Sequence, residues 1–168
     1  ALHQPERTGR LVQGIARVLL KIEKHAEAID ACGKAQEVFE ELQFRRGLAE
    51  NLHLRGDIAL SLGKLDQAAE HYESAHREIE SIGIDWRLSP ILLSLSRLAR
   101  IEGRAEESEQ SMARATEIAR AHDDRAAATA GRRAAAEQRL HPERPHLARD
   151  LLEHPLRVLV RTREQGRL

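Results

Sequence analysis

Aromatic side chains are nearly missing from this chain: Tyr72, Trp86, Phe39 and Phe44 are all it has. A surface that stacks nucleic-acid bases needs several such rings along a basic stripe, so direct nucleic-acid binding is not expected. Cysteine is scarcer still. Cys32 has no partner for an internal disulfide, which favours a cytoplasmic setting. No apolar run approaches the roughly eighteen residues that span a bilayer, and no charged-then-apolar leader opens the chain, so no membrane partner is expected. Net charge is missing too, because 27 basic residues meet 27 acidic ones and leave no strong field for an anionic surface. The balance is uneven along the chain, with ten arginines against six acids from Asp124 onward. Arginine supplies 23 of the 27 basic residues, and with the abundant alanine this associates with a GC-rich bacterial source.

Catalytic signatures are also absent. The chain has no G-x-S-x-G, no phosphate loop ending in Gly-Lys-Ser/Thr, no H-E-x-x-H and no C-x-x-C. Gly33-Lys34-Ala35 and Gly63-Lys64-Leu65 lack the upstream glycine and the hydroxyl, and read as helix and turn. The closest histidine pairs, His71 with His76 and His141 with His146, are five residues apart, which places them about 140° apart around a helix and unsuited to hold one metal. A nucleophilic Cys32 would need an exposed, electropositive setting, and its register below puts it in the core. No catalytic residue, metal or cofactor is expected.

What is present is a pattern centred on Gly56 to Ala75. Gly63 falls where a helix must stop and turn, Asp66 follows near the start of the next helix, and small Gly56 and Ala68 let two antiparallel helices approach closely. Tyr72 and Ala75 share a face with Ala68. The same pattern recurs forty residues away on each side: Ala28, Ala68 and Ser108 coincide, then Cys32, Tyr72 and Met112, then Ala35, Ala75 and Ala115, with Val12, Leu52 and Leu92 upstream. Ala148 and Leu152 mark a degraded fourth copy.

These residues resemble the tetratricopeptide repeat, over residues 9 to 122 closely and 123 to 153 loosely. A spacing of forty, against about 34 for the usual unit, resembles the long-helix variety of bacterial signalling and transcription-regulator scaffolds. The chain departs from the family in having Val12, Leu52 and Leu92 in place of an aromatic, Glu23 in place of a turn glycine, and no proline ending its repeats. The fold implied is all-α, a right-handed solenoid of antiparallel helix hairpins.

In order, residues 1–8 read as a frayed lead-in, and repeats follow at about 9–44, 46–84, 86–122 and 124–153, with a capping segment and tail at 154–168. In the first helix Leu11, Val12, Ile15, Val18, Leu19 and Ile22 recur at three and four and read as buried; in the second, Ala28, Ile29, Cys32, Ala35, Val38, Phe39 and Leu42 do. Ser89 is an N-cap candidate with Pro90 at N1, although Asp85 could cap a helix starting earlier with Pro90 in its first turn; a start between 86 and 90 is preferred. Asp123-Asp124 reads as the cap of a new alanine-rich helix that His141 to Pro145 breaks. The chain opens on Ala and its end repeats look unfinished, so an excised part of a longer polypeptide is expected.

Stacked hairpins leave a concave surface lined by the first helix of each unit. The resemblance places on it Arg10, Gln13, Arg17 and Lys21, then Glu50, His53, Asp57 and Leu60, then Leu93, Arg97 and Arg100, then Arg133 and Glu137. The function implied is non-catalytic binding of a protein or peptide as the regulatory part of a larger protein, with Arg17, Arg97 and Arg100 forking carboxylates. Two other arrangements are open: Arg17, Asp57 and Arg97 pairing with one another, or an enclosed ligand pocket, in a sensor or an enzyme, around His53, Arg97 and Arg100. The apolar run Leu156 to Val160 is a candidate homodimer surface.

Overall fold

The computed structural model describes the backbone of residues 3–140 and the side chains of residues 4–125 and 129. It divides into two compact units, Ala1–Ile118 and Ala119–Leu168. The described elements are α1 (His3–Lys21), α2 (His25–Glu41), α3 (Arg45–Ser61), α4 (Leu65–Ser81), a 3-10 turn (Asp85–Arg87), α5 (Leu88–Ile101) and α6 (Ala105–Leu140). The described residues are all helical, and in the first unit these helices pack consecutively as a solenoid.

Every turn between helices is built the same way, at intervals of twenty residues. Glu23, Gln43, Gly63, Gly83 and Gly103 take the left-handed conformation, with φ of 61, 50, 71, 67 and 77°. The amide at each of these positions donates to the carbonyl three residues back, and the next amide reaches five back, as from Lys24 N to Leu19 O and from Lys64 N to Ala59 O, both 2.9 Å. This Schellman pairing satisfies the carbonyls that end the helix. The following residue starts the next helix without a side-chain cap, so Asp66 contributes charge to the first turn of α4 and does not cap it.

Within each hairpin, small residues set the separation. Ala16 meets Ala28 and Cys32 in the first, and Gly56 lies under the Tyr72 ring in the second. In the third, Ser96 Oγ donates to the Ser108 carbonyl at 2.8 Å. Between hairpins, buried Asn51 Nδ2 donates to the Cys32 carbonyl at 2.9 Å, and Ile91 packs with Ala75 and Ile79.

Several expectations are corrected. Residues 3–8 belong to α1: Pro5 falls in the first turn, where its missing amide has no acceptor, and Arg10 pairs with Glu6 at 2.8 Å. Ser89 is not a cap. The 3-10 turn Asp85–Arg87 starts the spiral earlier, so Arg87 holds the cap position and Pro90 lies in the first turn of α5. Leu11, Ile15, Val18 and Ile22 are 65, 55, 59 and 57% exposed, because only the other stripe of α1, with Val12, Ala16 and Leu19, meets the core. Ile29 and Met112, at 47 and 48%, are exposed as well. Ile29 lies one position past the buried face of α2. Met112 has the register of Tyr72, but no described residue of the first unit covers it as Leu98 covers Tyr72.

The turn expected at Asp123-Asp124 does not form, since one helix runs from Ala105 to Leu140. Asp123 replaces the residue that turns at the five earlier positions, and ten of the twelve residues from Arg125 to Ala136 are alanine or arginine, both strong helix formers. The expected break at His141 to Pro145, the helix after it and Leu156 to Val160 lie outside the described residues.

Candidate functional site

The first helices of the hairpins, α1, α3 and α5, lie side by side in the first unit. Together they carry nine basic and three acidic side chains. Their partners, α2, α4 and α6 as far as Ile118, carry three basic and fourteen acidic ones. Within the first unit, charge is therefore segregated between the two layers of helices.

Both carboxylates that α3 places among these arginines are already engaged. Tyr72 Oη donates to Asp57 Oδ1 at 2.8 Å. Burial, then the Asp57 charge and that hydrogen bond, push the Tyr72 phenol far above its ordinary value, so it stays a donor. His53 Nε2 lies 4.0 Å from Asp57 and shares a hydrogen bond of 2.8 Å with Ser94 Oγ. Burial holds the His53 pKa below 6.5, with Arg17 adding to the depression and Asp57 and Glu50 opposing it.

Glu50 is held from two sides, by Arg46 Nε and Arg87 Nη1, each at 3.1 Å. Both guanidiniums also stand over the Trp86 ring, Arg87 at 4.1 Å from its centroid and Arg46 at 6.0 Å. Partial burial lowers the Arg87 pKa, and Arg46, Arg10 and Arg17 are near enough to lower it further. Arg10 pairs with Glu6 and lies 5.2 Å over the Phe44 ring.

What remains uncommitted is cationic. Among the described residues, no carboxylate lies within ion-pair distance of Arg17, Lys21, Arg97 or Arg100, all of them exposed. The alternative in which Arg17, Asp57 and Arg97 pair with one another is not what the side chains do. Asp57 accepts from Tyr72 instead, with His53 Nε2 4.0 Å away. Leu93 is exposed and Leu60 half-buried, while Gln13 is 6% exposed and displays little. The side chains of Arg133 and Glu137 lie outside the described residues.

A cavity of about 150 Å³ is lined by Ile29, Ile58, Leu62, Arg55 and His71, among others, away from His53, Arg97 and Arg100. Buried Cys32 has its thiol pushed up to about 11 by burial, which disfavours the thiolate. Among the described residues no cluster of His, Cys, Asp or Glu could hold a metal, and no helix is long and apolar enough to cross a membrane.

The sequence reading missed Tyr72 and Ser94 as partners of the α3 groups, and Arg46, Arg87 and Trp86 altogether. One signal was available, because Arg46 and Glu50 stand at i,i+4. The Arg87 contact depends on the 3-10 turn Asp85–Arg87, of which the sequence offers only Asp85 as a possible early helix start.

Residues 10–77 match the tetratricopeptide repeat family, whose repeats generally mediate protein–protein interaction. No curated protein and no solved structure gives a significant match to the chain.

Proposed function

We propose that this chain binds an acidic protein segment along the face lined by α1, α3 and α5, and that it does so as the regulatory part of a larger bacterial signalling or transcription-regulatory protein in the cytoplasm. One observation carries the first part: Arg17, Arg97 and Arg100 lack a carboxylate partner among the described residues, while Glu50 and Asp57 are occupied. A guanidinium left exposed can fork a carboxylate brought by a partner. The forty-residue spacing and the arginine-rich composition support the second part. The reading is of a binding module without catalysis, whose partner is a protein or peptide and not nucleic acid or membrane.

Paired affinity capture from lysate of the source organism tests the proposal, with the natural chain and an Arg97→Glu/Arg100→Glu version as baits. A protein retained by the first and released by the second is expected. A partner retained equally by both would place recognition on another face.

A further inference from the structure

The cavity of about 150 Å³ in the first unit is lined from α2, from the C-terminal half of α3 with its turn, and from the start of α4. Ile29, Ile58 and Leu62 give it an apolar surface, and its polar groups are Arg55, Lys64, Gln67 and His71. No acidic side chain is among its described lining residues, although α2 and α4 each carry five acids.

The neighbouring hairpins show what this place lacks. Lys24, Lys64 and Arg104 hold one register forty residues apart, each directly before the second helix of its hairpin. In the first hairpin Lys24 Nζ pairs with Glu27 Oε1 at 2.8 Å, and in the third Arg104 pairs with both Glu107 and Glu102. The middle hairpin has Gln67 where its neighbours have Glu27 and Glu107, and Leu62 where the third has Glu102. Among the described residues, Lys64 has no carboxylate within ion-pair distance, and neither has Arg55, whose Nη1 is fixed on Gln36 Oε1 at 2.6 Å. The acids of α2 nearest Ile29 in sequence are committed elsewhere, Asp30 to Lys34 at 2.7 Å and Glu27 to Lys24. His71 contributes a neutral imidazole, since burial and then the Arg55 charge hold its pKa below 6.5 against the opposing effect of Glu70. The hairpin that lacks the internal carboxylate thus holds a cavity beside its unpaired cations.

We propose that this cavity binds a small organic monocarboxylate, its carboxylate on Lys64 and Arg55 in the place of the missing Glu and its compact apolar body on Ile29, Ile58 and Leu62. Volume sets the body, because a cavity of this size takes about one benzene ring. Charge sets the head group: the two cations exclude an amine, and a carboxylate gains charge-assisted hydrogen bonds that a neutral amide does not. A Glu or Asp side chain of another protein would bring the charge on a short stem and leave most of the apolar wall unfilled.

The probe is benzoate, titrated into the isotope-labelled whole chain and followed by NMR, with benzamide as the control for charge and acetate as the control for the ring. Saturable shifts are expected at the amides of Leu62, Lys64 and His71, with a Kd on the order of millimolar, the strength that so few atoms supply. Benzamide and acetate should bind about tenfold or more weakly. Gln67→Glu restores the carboxylate of the neighbouring hairpins at an exposed position in the first turn of α4, so it should weaken benzoate about tenfold or more without lowering Tm. Lys64→Gln should weaken benzoate similarly. Benzoate shifts that do not saturate, that centre on Arg17, Arg97 and Arg100, that benzamide reproduces at equal strength, or that both substitutions leave unaffected would overturn the proposal.

Discussion

A Cβ atom placed on Gly56 would stand 2.4 Å from Cε1 of Tyr72, closer than carbon atoms can approach. The tyrosine ring occupies the space that glycine leaves, and from there its hydroxyl reaches Asp57 on the same turn of α3. One small residue therefore sets both the hairpin separation and the polar contact at its edge.

Gly56→Ala should cost about 1–3 kcal/mol, because the ring is fully buried and has no free rotamer to move into. Urea unfolding measures it. A cost near zero would mean that the hairpin can separate without loss.

Tyr72→Phe keeps the ring and removes the donor to Asp57. The carboxylate is partly exposed and water can replace the hydroxyl, so the expected loss is about 1 kcal/mol, smaller than for Gly56→Ala. Ordering the two variants by midpoint in the same urea series checks this.

Stability should fall on mild acidification partly through His53. Burial lowers its folded-state pKa below the ordinary 6.5, so the unfolded chain binds the extra proton more readily. The contribution is complete above 6.5 and is lost as pH falls from there toward the folded-state value. The change in Tm between neutral pH and mildly acidic pH should be smaller in His53→Gln than in the natural chain. An equal change in both would remove His53 from the account.

Glu23→Gly and Gln43→Gly should each stabilise the protein, by about 0.5–1 kcal/mol. Both residues hold the left-handed conformation that Gly63, Gly83 and Gly103 adopt freely, and the gain is reduced by glycine's larger entropy in the unfolded chain. Gly63→Ala should move stability the opposite way, since nothing crowds its Cβ and only the backbone conformation resists.

The forty-residue period made the hairpins legible, because Gly63, Ala68 and Tyr72 each have a packing or turn role that repeats. The left-handed Gln43 is not legible from it, because side chains repeat every forty residues while the turn recurs every twenty in the backbone. The exposure of Leu11, Ile15 and Val18 on α1 is hidden from the sequence for a related reason. Two stripes, one through Val12 and Ala16 and one through Leu11 and Ile15, both have helical spacing, and only a neighbour decides which is buried. At Asp123 the same period suggested a turn, and local helix propensity from Arg125 onward prevailed. On the candidate face the equivalent registers of Arg17, Asp57 and Arg97 follow from the forty-residue period. The partner of Asp57 does not, since the bond from Tyr72 joins two helices across fifteen residues of chain.

The central claim is that the face of α1, α3 and α5 selects acidic partners. The direct measurement is anisotropy of a labelled peptide of alternating Glu and Ala, with a Lys-Ala peptide as control, titrated with the natural chain and with Arg17→Glu/Arg97→Glu/Arg100→Glu. The account predicts binding of the acidic peptide alone, weakened by salt and by about tenfold or more in the variant. Equal binding of both peptides, or acidic-peptide affinity that the three substitutions leave unchanged, would contradict it.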